Sequence, residues 1–592
     1  MIDRNRESST IWKRILILLA AMTLLTGMVG VSLYVEHRDG GFTKSNNISN
    51  DSGEGDRAVS DQTWSLYVTN TTNGLARENQ ETRIDWWLDD NTGHYYVFLP
   101  AVSNLEKLRL GIDGASSIEL DGEKIDNNEL FSVTAGEHVF TLAEQTHAVT
   151  FLQSHGAGTV LLTTESGSMD YVKEDKANRE SGNVIIADES GQVQYDGPLE
   201  YIHGRGNSTW SDGYKLPYTI KLSKKTDLFR MGAAKKWVLL ANQWDDSLLR
   251  NRVVHDIAKT SGMPFTAESV SVDFYTNGEY QGNYQLGEKV EVSTERVNIP
   301  DLEKKTENVN PGKELSDFPV FGSTEGVKDT VPSTMKGYQI EHDPADITGG
   351  YLFTLNIGYS YLERVAGFVT SRNQAVNIEG PSHPSVNQVY YIANLYQELE
   401  DALYAWDGIN PNTGKAYYDY IDVNSFAQKY LIEEITKNLD ASIASQYMYK
   451  YPDSVDTKIY AGPVWDYDKS LGNGGTDGYN STDLTDPNGM YASQDVTPSC
   501  IWYAVFFRPE FSQAVVENYY KNFRANTLAA ADNKIANWSQ HMIDSVTMNA
   551  IRWNIYGTDD VGTIQRGYAE EISGLKSFIT ERIAYLDTQW VQ

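Results

Sequence analysis

The chain has 592 residues, a formal net charge of −32 and a single cysteine, Cys500. The length exceeds the ~250–300 residues at which one hydrophobic core stops growing, so two or more domains are expected. The acidic balance argues against a nucleic-acid or anionic-lipid partner, since no basic excess neutralises phosphates; one cysteine excludes an intramolecular disulfide framework and a cysteine-rich zinc site.

In chain order, the first predicted element is the uncharged, mainly apolar run Ile15–Val35, long enough for a helix to cross a bilayer core of ~30 Å. Arg4, Arg6, Lys13 and Arg14 precede it. The positive-inside rule then puts residues 1–14 in the cytoplasm and all that follows residue 36 outside the cell membrane. A secreted protein with a cleaved signal peptide is the rival. The run is long for a signal core and no small-x-small site follows, which favours an uncleaved signal-anchor at 15–35.

Residues 36–62, with Ser45-Asn-Asn-Ile-Ser-Asn-Asp-Ser-Gly53, read as a flexible polar linker. From 63 to 166, short β runs at Ser65–Val68, Tyr95–Leu99, Leu108–Ile112, His138–Leu142 and Ala148–Leu152 are separated by turn signals, giving a small β-sandwich-like module. Its expected role is spacing or adhesion.

The remainder, 167–592, begins with a glycine-flanked loop, 204–210, whose backbone could approach an anion. It lacks Walker spacing, and Arg205 could ligate phosphate or brace an acidic neighbour. Tyr218–Leu222 reads as a strand carrying Lys221 and Thr219 on one face. Asp246–Thr260 reads as a helix, with Leu249, Val253 and Ile257 on one stripe and Gly262 beyond its end. Ser269–Leu286 is a hairpin turning at Asn277-Gly278, followed by Glu288-Lys289. Asn298–Thr334, charged and interrupted by Pro and Gly, reads as an insertion or mobile loop.

A capped helix is predicted over Asn424–Asn438, with Phe426, Tyr430, Leu431 and Ile435 on one face and Asp422 or Asn424 as cap. It ends at Asp440. Gln446–Lys450 and Ile459–Val464 form two short antiparallel strands turning at Pro452-Asp-Ser, and Trp465-Asp-Tyr-Asp468 follows. Asp466 and Asp468 repeat with the strand period and so share a face. Two acidic sites flanking a hairpin can place a catalytic carboxylate beside one that holds Mg²⁺ with phosphate oxygens and water, although acidic turn residues are common without function. The last helical stretch, Glu570–Tyr585, carries an apolar stripe of Ile572, Leu575, Phe578 and Ile579 that suits packing.

Several runs of this chain resemble the spore-coat protein H family, CotH. They are His203-Gly-Arg-Gly-Asn-Ser-Thr-Trp210, Lys215-Leu-Pro-Tyr-Thr-Ile-Lys-Leu222, Lys236-Trp-Val-Leu-Leu-Ala-Asn242, Ser247-Leu-Leu-Arg-Asn-Arg252, Asn277–Lys289 and Trp-Asp-Tyr-Asp. The resemblance covers roughly residues 170–592 and implies an α+β, two-lobed atypical protein-kinase-like domain. It further implies transfer of the ATP γ-phosphate to Ser or Thr of coat or surface proteins, with ATP and Mg²⁺ as cofactors. Carried over, it matches Asp440 to the catalytic aspartate and Asp466 to the metal aspartate, with Asp468 as a second metal candidate. It places the phosphate lysine on the strand 218–222, with Lys221 first and Lys215 second, and leaves Glu288 as a nucleotide neighbour at a hinge. Where kinase catalytic loops hold a second Mg²⁺ through Asn, this chain has Ser445, one neutral oxygen. A non-catalytic surface, coat-assembly or adhesion protein is therefore the competing expectation.

Overall fold

The computed structural model describes residues 64–71, 82–322, 335–356, 366–441, 444–477, 481–494 and 501–590. The expected anchor and linker, and Cys500, lie outside them. Among the described residues no helix is long and apolar enough to cross a membrane. The fold is α+β.

Strand alternation builds the first layer. β1 (Gly158–Thr164), β2 (Glu180–Ala187), β3 (Val193–Gly204), β4 (Tyr218–Asp227), β5 (Ala233–Leu240), β6 (Ser269–Thr276) and β7 (Glu279–Glu288) close into a barrel in the order β1-β2-β3-β4-β5-β7-β6. Its neighbours are antiparallel except β6 against β1, which pair in parallel from Gly158↔Val272 to Leu162↔Thr276. Inward residues such as Val160, Ile186, Ile220, Leu222, Trp237 and Phe274 fill it, as a small barrel requires. The β6–β7 turn falls at Asn277-Gly278 as expected, both with positive φ, +52° and +94°, which suits a two-residue hairpin.

Although the module was expected to run to 166, Gly158–Thr164 is a barrel strand, and the described strands of the N-terminal β module lie between Ser65 and Gln153. Within it a four-stranded sheet and a six-stranded sheet enclose Val68, Trp86, Val97, Leu110, Phe140 and Phe151. The module abuts the barrel: the Phe98 and Tyr280 rings lie 4.8 Å apart, and the Tyr275 hydroxyl donates to the Phe98 carbonyl at 3.1 Å.

A second sheet follows. β8 (Tyr351–Asn356), β9 (Gly367–Val369), β10 (Ala375–Gly380), β11 (Gln446–Lys450) and β12 (Ile459–Ala461) run antiparallel in the order β9-β10-β8-β11-β12. One face packs on helices, chiefly α2 (Val386–Tyr404) and α3 (Val423–Thr436). The other presents Leu352 and Tyr449 to an apolar cluster shared with Val238 of β5 and with Trp465. The stretch 298–334, expected as a loop, contains a helix at Leu302–Val309, because the Asp301 side chain accepts the Lys304 N–H and caps it. Thr476 and Asp483 form an isolated antiparallel bridge.

Helix α3 explains the organisation of the second layer. Asp422 caps it by accepting the Ser425 N–H at 2.7 Å, and Lys437 ends it in the left-handed region. Its apolar stripe is the expected one, but every residue from Ser425 to Thr436 is buried, on all faces of the helix. Its charged residues are therefore paired. Lys429 bonds Glu433 and, at 2.7 Å, the Tyr467 hydroxyl, while Glu434 meets Arg582 at 2.6 Å. Arg582 lies on the long helix α4 (Val561–Gln589) and also donates to the Glu434, Pro487 and Gly489 carbonyls. Removing one partner of such a pair leaves a buried charge uncompensated, so Arg582→Ala is expected to cost about 3–5 kcal/mol, measured as a lowered urea midpoint.

Candidate active site

Two backbone hydrogen bonds staple the loop after α3 to the segment after β12. The Leu439 N–H donates to the Lys469 carbonyl at 3.1 Å, and the Leu471 N–H donates to the Thr436 carbonyl at 2.7 Å. This brings Asp440, Asp466 and Asp468 into one half-buried cluster. The loop is braced: Asn438 donates to Glu433 at 3.0 Å and accepts the Asp440 N–H at 3.3 Å, and the Trp502 indole donates to the Ala441 carbonyl at 2.6 Å. Ser445, also placed here, donates its hydroxyl to Asp466 at 3.0 Å. Ser445 and Asp466 both have positive φ, +55° and +73°. Side chains in that region cost of order 1–3 kcal/mol and persist where surroundings over-determine them, commonly at functional sites.

Electrostatics mark the cluster as well. Burial, then the charge of Asp466, pushes Asp440 up to about 7, with Glu433 adding to the push and Lys469 opposing it. Burial, then Asp466, likewise pushes Asp468 up to about 8; Lys469 again opposes, and Asp440 and Asp245 add. Carboxylates crowded this way resist ionising together unless a cation joins them. The donor set suits Mg²⁺, a hard cation that takes one or two carboxylates with phosphate oxygens and water. Among the described residues no group of three or more acidic, imidazole or thiol side chains is arranged to hold a metal ion.

The basic residues divide. Arg205 sits with its guanidinium 5.4 Å from the centre of the Trp465 ring, directly beside the acidic segment. Lys221 lies on the outer barrel face shared with Thr219, whose strand partner Val238 packs in the Trp465 cluster; its ammonium meets Glu200 at 2.6 Å. Lys215 is instead buried in another setting. It donates to the Asn283 carbonyl and, at 2.8 Å, to the Asn549 side chain, and burial drives it well below the usual lysine range. Glu288 is engaged inside the barrel wall by Arg296 and by the Glu268 N–H at 2.7 Å. Burial raises it to about 7, against the pull of Arg296. The structure thus brings Asp440, Ser445, Asp466 and Asp468 together, sets Arg205 against the adjoining Trp465 ring, and leaves the side chains of Lys215, Lys221 and Glu288 with other partners.

Lys469 was not among the expected site residues. Its ammonium lies 5.0 Å from the Trp244 ring centre and within electrostatic range of Asp440 and Asp468. The available signal was its position, next in sequence to Asp468.

The CotH kinase protein family model matches residues 202–586, and the chain belongs to that family. A comparison with curated proteins returns no match.

The two lysines separate on stability. Lys215→Ala orphans a buried carbonyl and opens a cavity, so a loss of about 2–5 kcal/mol is expected. Lys221→Ala, whose partner Glu200 stays in water, should leave the urea midpoint near wild type.

Proposed function

We propose that this protein is a Mg²⁺-dependent protein kinase that transfers the γ-phosphate of ATP to a Ser or Thr hydroxyl of a surface or coat protein. The observation that carries the reading is the meeting of Asp440 with Asp466 and Asp468, in a family of kinase proteins. Asp440, at the end of the loop braced by Asn438 and Trp502, would orient or deprotonate the acceptor hydroxyl. Asp466 would hold Mg²⁺, with Asp468 and the Ser445 hydroxyl as neighbouring oxygens, and the cation would supply positive charge against the phosphates. Arg205 and Lys221 would contact the phosphates from the barrel side. The barrel and the helix-backed second sheet would then act as the two lobes of a kinase-like domain. We further propose that the apolar run at 15–35 anchors the chain in the cell membrane with this domain outside.

Ser445 sits where kinase loops use Asn for a second metal, and this favours a second reading, a non-catalytic surface or coat-assembly protein. One assay separates them. Purified protein with labelled ATP and Mg²⁺ is expected to label an acceptor protein or itself. Asp440→Ala and Asp466→Ala should each lower the rate at least about a hundredfold. Wild-type protein that neither binds ATP nor transfers label would establish the scaffold.

A further inference from the structure

Helix α1 (Arg250–Thr260) grips the acidic segment at three points. The His255 ring stacks on Trp465, with centroids 6.2 Å apart and planes at 27°. The Asn251 side-chain oxygen accepts the Tyr467 N–H at 2.7 Å. The Arg250 Nε donates to the Ser470 carbonyl at 3.0 Å. Asn251 and His255 are four residues apart and share a helix face. Arg250 is itself fixed, meeting Asp245 at 2.6 Å and Glu571 of α4 at 2.8 Å.

The Asn251 bond has the most direct bearing on chemistry. The N–H it holds belongs to the peptide joining Asp466 to Tyr467, the link between the two candidate metal carboxylates. Asp466 has φ +73°, a conformation unfavourable for a residue with a β-carbon. Pinning the next peptide N–H to a side chain that is 5% exposed, on a helix anchored at both Asp245 and Glu571, opposes relaxation of that backbone. Without the pin, Asp466 would relax toward an ordinary conformation and its carboxylate would swing relative to Asp440.

We propose that Asn251 is a positioning residue for metal binding: it fixes the Asp466–Tyr467 peptide so that Asp466 faces Asp440 before any metal or nucleotide arrives. The inference rests on the reading of Asp466 as the Mg²⁺ carboxylate. It assigns α1 a part that its sequence motif, Ser247–Arg252, left undefined.

The test is the Mg²⁺ concentration that half-saturates ATP binding, followed by calorimetry on the full chain. Asn251→Ala should raise it about tenfold, the worth of one buried hydrogen bond, while ATP affinity at saturating Mg²⁺ stays near wild type. An effect on melting temperature alone, with the Mg²⁺ dependence of Asn251→Ala unchanged, overturns the proposal. A second measurement needs no variant. Hydrogen exchange of the Tyr467 amide in wild-type protein should be slow before Mg²⁺ is added, and protection that arises only with Mg²⁺ overturns the proposal equally. Wild-type protein that binds no ATP at any Mg²⁺ concentration removes the proposed function and this inference with it; wild-type binding that Asn251→Ala leaves unaltered removes the inference alone.

Discussion

Three carboxylates that repel one another are held together by backbone, and the rest of the second layer serves that constraint. The Leu439–Lys469 and Leu471–Thr436 bonds join the end of α3 to the acidic segment. Neither bond involves the acids themselves, so the cluster is imposed by the fold and does not form by mutual attraction. Its cost appears in Asp440 and Asp468, both pushed far above the usual carboxylate range by burial and by Asp466. Carboxylates crowded this way are unfavourable alone and are stabilised by any cation that joins them.

Rigidity beneath the cluster follows from α3. An enclosed helix cannot leave its charged residues unpaired, and Lys429, Glu433 and Glu434 are tied to Tyr467 and Arg582. Tyr467 stands between Asp466 and Asp468, so its hydroxyl roots the acidic segment in the core while its backbone N–H is held by α1. The same residue therefore joins α3 to α1. Small shifts of α1 or α4 would be felt at the carboxylates through packed groups, not through a flexible loop.

Much of the site was legible in the sequence because its signals are local. The helix period and cap before Asp440, the hairpin, and the Asp-Tyr-Asp spacing each depend on neighbours a few residues apart, and the structure has α3, β11 and β12 where they were expected. What escaped was long-range. Residues 158–164 fell inside the expected module without a strand of their own, and only the parallel pairing of β1 with β6 makes them a barrel strand. Lys215 and Lys221 look alike as exposed lysines six residues apart; Asn549, from a distant helix, decides that the first is buried. α3 showed one apolar face, but the pairing of Glu434 with Arg582, 148 residues away, is what lets its polar faces be enclosed. Asn251 stood inside a recognised motif without a role, because the N–H it holds lies 216 residues further on.

The central claim is that Asp440, Asp466 and Asp468 form one cation-dependent phosphate site. Anomalous diffraction from crystals grown with Mn²⁺ and a non-hydrolysable ATP analogue tests it most directly. The account predicts a metal peak in direct contact with Asp466, with the analogue's phosphates bridging it toward Arg205 and Asp440 lining the γ-phosphate. Nucleotide and metal bound elsewhere on the chain, with Asp466 bare, would contradict it.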